Sequence, residues 1–275
     1  MAFRTMFEAG YAAFIDENCD GGDLWFFLHI PKTAGSSFRA EMAKLLSPNH
    51  NIQLYDGSED PFEVRRARAI RAFADATPRL RFRFASGHVP FSLMTPLMEM
   101  ARPPKLFTML RDPVARVISD FRYQSTPQHP DHEVFRARCP TIEHYLDLAG
   151  ERDKMMHFLA PRNGAGVDET VGHVLDTFAA IGSMETYDAS FAVMMDLIDA
   201  ERTPSMILRR TDSRAAPPVR LTPALLTRIR EANAEDVALY ERLAPYLARV
   251  SQLREAALPI DRNGPERGFS AWRFV

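Results

Sequence analysis

The sequence contains little cysteine and no long apolar run, and both absences narrow the class of protein. Its two cysteines, Cys19 and Cys139, lie far apart and show no C-x-x-C or Cys/His spacing. This pattern argues against a disulfide framework and against a zinc site, so we expect two reduced thiols and no bound metal. A membrane-spanning helix needs about 18 consecutive apolar residues, and no such run occurs among the 275 residues. We therefore expect a cytoplasmic protein without a transmembrane segment, unless a membrane anchor lies outside these 275 residues.

The chain also lacks an excess of one charge. It carries 34 basic and 36 acidic residues, for a net charge of -2. A general nucleic-acid binder would show a basic face or arm, so we predict no nucleic-acid partner and expect any anion-binding site to be local. With 46% hydrophobic residues, the chain can form one large core. We predict a single domain with a lead-in over residues 1–23, a core over 24–250 and a C-terminal tail over 251–275.

The most informative stretch is residues 24–38, where an apolar run passes through a Pro-Lys-Thr-Ala-Gly-Ser-Ser turn into an amphipathic pattern. This order predicts a buried strand, an anion-binding loop and the N-terminus of a helix. The first N–H groups of a helix lack intrahelical partners and lie at the positive end of its dipole, so they hold phosphate or sulfate well. Gly35 would allow close approach of the backbone, and Lys32 would add a mobile positive charge. Ser36 and Ser37 would add hydroxyl donors.

Further apolar strands alternate with helical patterns along the chain. This alternation predicts an α/β fold with a doubly wound, mainly parallel sheet flanked by helices. Residues 49–60 and 125–140 are predicted to be loops, and the second is long enough to be a lid or a substrate loop. The predicted strands cover residues 24–30, 80–86, 105–110 and 178–181, with an edge strand at 205–208. One predicted helix follows the first loop and ends at Pro48, and another begins at Pro113. Further predicted helices cover 61–76, 141–148, 154–159 and 188–198. The segment 221–250 is predicted to be helical in two pieces around Asn233.

Three strand ends carry chemically active residues: the loop with Lys32, the Gly87-His88 pair, and the segment from Arg111 to Ser119. The carboxyl ends of parallel strands lie along one edge of a sheet, so these residues can share a crevice. Arginine can bind a phosphate with two donors and serine can add a hydroxyl, so Arg111 and Ser119 could hold a second anionic group. A structural salt bridge at Arg111 is the alternative.

Two of these segments resemble motifs of one enzyme family. The segment FLHIPKTAGSS at 27–37 is similar to the 5′-phosphosulfate loop of sulfotransferases that use 3′-phosphoadenosine-5′-phosphosulfate (PAPS). The segment LRDPVARVISDF at 110–121 is similar to their 3′-phosphate motif. SGHV at 86–89 resembles the Gly-His segment of the carbohydrate branch, which includes the uronyl and heparan 2-O-sulfotransferases. Residues 181–188 and 233–241 also look like later family segments, so the resemblance runs in patches over about residues 24–243.

The resemblance implies a P-loop NTPase-like sulfotransferase fold and an in-line transfer of a sulfuryl group from PAPS to a hydroxyl, with PAP as the product and no metal required. Lys32 would stabilise charge on the bridging oxygen, and His88 would act as the base that takes the acceptor proton. The 3′-phosphate would be held by Arg111 and Ser119. The cradle for the 5′-phosphosulfate would consist of Lys32, Thr33, Ala34, Gly35, Ser36 and Ser37.

The acceptor stays open. The Gly-His segment makes a carbohydrate or glycoconjugate hydroxyl the leading candidate, while a lipid, a small alcohol or a natural product would use the same donor site. Members of the carbohydrate branch often have a second histidine two residues before the Gly-His histidine. In this chain that residue is Ser86, so Glu185 or another loop residue is a candidate to assist His88. His29 lies within the strand and is expected to pack behind the loop, and a homodimer is compatible with the sequence.

Two other classes compete with this interpretation. A P-loop kinase or other NTPase would read G-x-x-x-x-G-K-[ST], with its lysine after the second glycine. In this chain Lys32 precedes Gly35, and Arg111 comes first at the other strand end where an Mg²⁺-binding aspartate would be expected. A nucleotide-binding or scaffold protein with a decayed site would lack Lys32 or His88, and both are present. We therefore favour sulfuryl transfer.

Overall fold

A five-stranded parallel sheet forms the centre of the computed structural model, which describes residues 2–19, 22–52, 58–200 and 216–257. Every strand pair within these ranges is parallel. The predicted α/β fold, with a parallel sheet flanked by helices, is therefore confirmed. The strands are β1 (Trp25–Leu28), β2 (Asn49–Asn51), β3 (Phe84–Gly87), β4 (Lys105–Leu110) and β5 (Ala180–Ser183), and their spatial order is β2-β3-β1-β4-β5.

Helices connect and cover the strands. Four strands are buried along their whole length, as expected for a parallel sheet with helices on its faces, and β2 is a short polar edge strand. The helices are α1 (Thr5–Glu8), α2 (Tyr11–Asn18), α3 (Gly35–Leu45), α4 (Phe62–Leu80), α5 (Thr95–Met98), α6 (Pro113–Gln124), α7 (His132–Arg138), α8 (Ile142–Leu146), α9 (Lys154–Leu159), α10 (Val167–Thr177), α11 (Tyr187–Leu197), α12 (Pro223–Ala232) and α13 (Ala234–Ala257).

Aromatic packing joins helix α3 to the sheet. The Phe38 ring of α3 lies 5.4 Å from that of Phe27 on β1 and 5.1 Å from that of Phe107 on β4, measured between ring centroids. All three side chains are at most 1% exposed. Such aromatic pairs contribute about 0.5–1.5 kcal/mol each beyond their burial. The start of α3, and the loop that precedes it, are therefore held against the two central strands.

A second hydrophobic cluster lies beside the main core. The sequence predicts residues 125–140 to be a loop, but this prediction is partly wrong, because His132–Arg138 form helix α7. Phe135 of α7 is buried in the second cluster. Tertiary packing of this kind stabilises a short helix that its polar neighbours conceal. The cluster is formed by α6, α7, α8 and α12, with Val117, Phe121, Phe135, Tyr145 and Ile229 among its members.

Helix α4 and strand β3 differ from their predicted bounds. The sequence predicts a helix over 61–76 and a strand over 80–86, whereas α4 ends at Leu80 and β3 begins at Phe84. A proline inside a helix is costly, so the sequence predicts that this helix ends before Pro78. The buried face of α4 nevertheless continues through Thr77, and an exposed last turn follows it. The helix is closed by Arg81, whose backbone is left-handed with φ of 49° and whose N–H donates to Thr77 O.

Some elements are missing from the sequence-based prediction, and others match it. β2 lies inside the predicted loop over 49–60, because its three polar residues show no strand pattern. Helix α10 occupies a segment to which no element was assigned. The two-piece helix around Asn233 is confirmed by α12 and α13. The predicted edge strand at 205–208 and the segment 259–275 lie outside the described residues.

The predicted lead-in contributes to the main core. Phe3, Met6 and Phe14 are fully buried, and the N–H of Phe3 donates to Phe178 O at 2.8 Å. At the other end, α13 continues to Ala257 and thus into the predicted tail. Residues 2–19 therefore pack with the sheet and its helices, which is compatible with the predicted single domain.

The length and the composition of the helices bear on whether any of them could cross a membrane. The longest of them, α13, has 24 residues but carries charged side chains along its length. Among the described residues, no helix combines the length and the apolar composition that crossing a membrane requires. The cytoplasmic location stays a prediction.

Gly182 on β5 provides a test of the core packing. A Cβ atom at this position would lie 2.5 Å from Met109 Sδ and 2.6 Å from Ser190 Cβ, so we expect Gly182→Ala to destabilise the fold by about 1–3 kcal/mol through overpacking. Urea denaturation measures this change. The control is Gly172→Ala in α10, where no described atom lies within 4 Å of the added Cβ and alanine should stabilise the helix by about 0.5–1 kcal/mol. Equal stability of the two variants would contradict the packing described here.

Candidate functional site

The loop between β1 and α3 has an unusual backbone. Lys32 and Ala34 adopt left-handed conformations, with φ angles of 70° and 65°. Such conformations cost non-glycine residues about 1–3 kcal/mol each and cluster at functional sites. Ala34 precedes Gly35, the first residue of α3. A left-handed residue followed by a right-handed one, as at Ala34 and Gly35, turns successive N–H groups toward one point, which is the geometry of an anion-binding nest.

The N-terminus of α3 adds donors to this nest. Gly35, Ser36 and Ser37 form its first turn, and its N-cap residue, Ala34, makes no side-chain capping hydrogen bond. The first N–H groups and the helix dipole therefore favour a negatively charged ligand. Thr33 is fully buried, and its hydroxyl donates to Ile30 O at 2.9 Å. The Thr33 side chain thus braces the loop.

The Lys32 side chain is held over an aromatic ring. Its Nζ atom lies 4.1 Å from the centroid of the Tyr123 ring, a cation–π contact of about 0.5–2 kcal/mol. Tyr123 lies on α6 four residues after Ser119, and residues at that spacing share a helix face. Sequence reasoning did not single out Tyr123, although the four-residue spacing from Ser119 was a usable signal.

Arg111 and Ser119 lie at the end of β4 and on α6, and both are partly buried. Asp112 caps the N-terminus of α6 with its side chain. Arg111 Nη1 donates to Lys32 O at 3.2 Å, which ties the end of β4 to the loop. Desolvation lowers the pKa of Arg111 and the negative charge of Glu185 opposes this effect, but a guanidinium stays charged in proteins. The bond to Lys32 uses one of its five N–H donors, so other donors can serve a phosphate.

His88 follows β3 directly and is held in one tautomer. Its Nδ1 atom lies 2.7 Å from His29 O. A carbonyl oxygen can only accept, so Nδ1 carries the proton and Nε2 of the neutral ring is an acceptor. The residue as a whole is exposed at the edge of the sheet, while the hydrogen bond of its ring to His29 O is part-buried. The protein atoms around the ring desolvate its charged form, and this lowers the pKa of His88 below the ordinary 6.5. At neutral pH the ring is therefore neutral and able to take a proton at Nε2.

His29 packs behind the loop, as expected from the sequence, and it also contacts His88. The two imidazole centroids are 4.3 Å apart. The His29 ring also occupies the space that a Cβ atom at Gly35 would need, at 2.1 Å from His29 Cδ2. Glycine is therefore required at position 35 for close approach of the ring to the loop. Sequence reasoning placed His29 correctly but left out its contact with His88.

Glu185 does not lie beside His88. Its Oε1 accepts from the N–H of Asp112 at 2.9 Å and its Oε2 accepts from Tyr240 at 2.9 Å. It follows β5, which is three strand positions from β3, or about 14 Å at the usual strand spacing. Ser86, at the position of a second histidine in many relatives, donates to Asn51 Oδ1 at 2.8 Å. The second imidazole beside His88 is that of His29.

A buried ionic network forms one wall of the site. Lys154 Nζ of α9 lies 2.7 Å from Asp120 of α6 and 2.5 Å from Glu151. Arg116 of α6 is fully buried and lies 3.4 Å from Asp120 and 3.6 Å from Asp236 of α13. The network therefore joins α6, α9 and α13. Sequence reasoning missed it, because Arg116 and Asp120 lie at i, i+4 spacing away from the apolar face of α6, on a side that the sequence pattern predicts to be exposed.

The network also sets the charge near His88. Burial alone would raise the pKa of Asp120, but the positive charges of Lys154 and Arg116 outweigh it and hold that pKa below its ordinary value. Desolvation is the largest influence on His88; the negative charge of Asp120 raises its pKa, and the positive charge of Lys154 lowers it. Two opposite charges near the ring thus partly cancel. Because these two effects oppose each other, desolvation decides the pKa of His88 and keeps the ring neutral.

The three predicted strand ends lie side by side. β1 is paired with β3 on one side and with β4 on the other. The Lys32 loop therefore lies between His88 and Arg111. This arrangement places two sets of anion donors and one base along a single edge of the sheet, which is the edge where open α/β sheets bind ligands. Chemically, it suits a substrate with two anionic groups next to a hydroxyl that must lose a proton.

No protein-family model matches the chain, and no curated protein matches it. The resemblance to the sulfotransferases therefore rests on the motifs at 27–37, 86–89 and 110–121.

Arg116 provides a test of the ionic network. Arg116→Met keeps much of the side-chain volume but leaves Asp236 without its cation, and removing one partner of a buried pair costs about 3–5 kcal/mol. We expect a loss of stability of this size at pH 7 in urea denaturation. The control is Arg162→Met, because the Arg162–Glu169 pair is exposed at 64% and 42% and should contribute about 1 kcal/mol or less. A change below about 1 kcal/mol for Arg116→Met would show that the network does not stabilise the fold.

Proposed function

We propose that this protein is a PAPS-dependent O-sulfotransferase with a P-loop NTPase-like fold. The observation that carries this proposal is the order of three groups along the sheet edge: His88 after β3, the Lys32 loop after β1, and Arg111 after β4. A donor with a 5′-phosphosulfate and a 3′-phosphate needs two separate anion sites. An acceptor hydroxyl that attacks the sulfuryl group needs a base nearby that takes its proton. In the strand order β3-β1-β4, the base, the phosphosulfate site and the 3′-phosphate site would follow one another along the sheet edge.

The residues of the loop fit the phosphosulfate end of the donor. The left-handed backbone at Lys32 and Ala34 and the first turn of α3, whose N-cap residue Ala34 makes no side-chain capping hydrogen bond, offer N–H donors to an anion. Ser36 and Ser37 add hydroxyls, and Lys32 adds a positive charge. The donor contributes an activated sulfuryl group when it is bound. The loop residues orient that group and neutralise its charge.

The 3′-phosphate is assigned to Arg111 and Ser119. Arg111 is anchored to the loop through Lys32 O, so its position is fixed relative to the phosphosulfate end. Its remaining N–H donors can bind a phosphate with charge-assisted hydrogen bonds. Ser119 lies six residues after the start of α6, or about 9 Å along the helix, and adds a hydroxyl. A site that requires this second phosphate would distinguish PAPS from ATP.

The proposed reaction is one in-line displacement. The acceptor oxygen forms a bond to sulfur while the bond between sulfur and the bridging phosphate oxygen breaks. His88 Nε2 takes the hydroxyl proton, and Lys32 stabilises the charge that appears on the bridging oxygen. The products are a sulfate ester and PAP. The chemistry depends on positioning and charge stabilisation, as in phosphoryl transfer.

A carbohydrate or glycoconjugate hydroxyl is our first candidate for the acceptor, supported by the Gly-His motif at 87–88. A lipid, a small alcohol or a natural product is the alternative. Transfer of radiolabelled sulfate from PAPS to a panel of glycans, lipids and phenols distinguishes them. A P-loop kinase is the rival class, and Mg²⁺-dependent ATP turnover without PAP binding would establish it in place of our proposal.

Substitutions at Lys32 and His88 test the catalytic roles. We expect Lys32→Ala to lower sulfate transfer by about 10²–10³, because a charge-stabilising group is lost. His88→Ala should lower kcat by about 10²–10⁴, because a general base is lost, while PAP affinity in calorimetry without Mg²⁺ changes by less than about threefold, since His88 lies on the acceptor side. Lys44→Ala and His144→Ala, at exposed positions, serve as controls. A His88→Ala enzyme with full turnover would eliminate the base assignment.

The pH dependence of turnover tests the state of His88. The neutral ring is the active base, and desolvation lowers its pKa below the ordinary 6.5. We therefore expect kcat to rise with pH, to reach half its maximum below pH 6.5, and to stay level from about pH 7 to 8. Steady-state kinetics in overlapping buffers measure this profile. A midpoint above pH 6.5 would contradict the assignment.

A further inference from the structure

The His29 side chain contacts both halves of the proposed site. Its Cδ2 and Nε2 atoms lie 2.1 Å and 2.2 Å from the position that a Cβ atom at Gly35 would occupy. Its ring centroid lies 4.3 Å from that of His88. The backbone oxygen of the same residue accepts the Nδ1 proton of His88 at 2.7 Å. One residue thus contacts both the donor loop and the base.

The His29 ring is itself held by the core. It stacks on Phe27 with centroids 5.2 Å apart and an interplanar angle of 16°. Phe27 stacks in turn on Phe107 of β4 at 4.8 Å. The His29 backbone N–H donates to Gly87 O at 3.0 Å and so continues the pairing of β1 with β3. His29 is 8% exposed, and neither its backbone nor its ring can move without disturbing the centre of the sheet.

We infer that His29 is a positioning residue that sets the distance between the Lys32 loop and the His88 base. This inference rests on the proposed function. In-line transfer needs the acceptor oxygen, the sulfuryl group and the leaving oxygen to be aligned, and a displacement of about 1 Å can cost about 10²-fold in rate. The loop carries the sulfuryl end of the donor, and His88 directs the acceptor oxygen. A rigid ring in contact with both keeps that alignment.

A size-complementation experiment tests the contact with the loop. Gly35→Ala introduces a methyl group where the His29 ring lies, so we expect PAP affinity to fall at least tenfold. His29→Ala removes the ring and should change PAP affinity by less than about threefold. The double variant His29→Ala/Gly35→Ala should then bind PAP more tightly than Gly35→Ala alone. Calorimetry without Mg²⁺ measures all three, and His144→Ala is the matched control.

The contact with the base has its own readout. We expect His29→Ala to lower kcat by about 10–100-fold with little change in the KM for PAPS. Water that replaces the ring should also move the midpoint of the kcat–pH profile upward, toward 6.5. The charges of Asp120, Lys154 and Arg66 also act on His88, and this variant leaves all three in place. A loss of stability alone would change neither the midpoint nor the ratio of kcat to KM in this way.

Several results would overturn the inference. Additive losses of PAP affinity in the double variant would show that the ring does not limit the loop, and an unchanged kcat and pH midpoint in His29→Ala would show that it does not position His88. His29→Asn replaces the alanine variant if that one does not fold. If the wild-type protein binds no PAP, the proposed function fails. Urea midpoints of the same variants then decide the contact, because the double variant must recover stability relative to Gly35→Ala.

Discussion

The packing of Phe38 on Phe27 and Phe107 is the interaction on which the site depends, because it fixes both ends of a strained loop. Two residues of that loop are left-handed without being glycine, and each costs about 1–3 kcal/mol. A loop joined to mobile ends would relax to a conformation of lower energy. Here β1 is buried between two strands, and α3 is held on the sheet by three aromatic rings. The core therefore maintains a backbone shape that the loop would not keep alone.

Buried charges organise the wall of the site that α6, α9 and α13 form. Arg116, Asp120 and Asp236 lie on two helices far apart in sequence, and all three are at most 3% exposed. Buried ions are expensive unless they are paired, so the packing of α6 against α13 is restricted to arrangements that keep these partners together. Lys154 extends the same condition to α9. The wall is thus specified by electrostatics, whereas the loop is specified by aromatic packing.

Local patterns predicted much of the fold. Strand β4 was predicted with its observed bounds, since a mainly apolar run over 105–110 ends at a charged turn. The residues of the loop and the strand ends were found because each interrupts an apolar run. The errors have a common cause. Helix α7 depends on the burial of Phe135, the continuation of α4 beyond residue 76 on the burial of Thr77, and the neighbours of His88 on which strands are adjacent. These features depend on contacts between residues that are far apart in the sequence, so local hydrophobic periodicity does not predict them.

The registers of the central strands make the edge of the sheet uneven. Leu28 is paired with Gly87 on one side and with Thr108 on the other. By the same register, His88 stands level with His29, whereas Arg111 stands level with Pro31, two residues further along. At about 3.3 Å per residue, the edge steps down by about 7 Å from β4 to β3. A molecule that reaches His88 must therefore enter deeper than one held at Arg111, so depth as well as charge separates the two sides of the crevice.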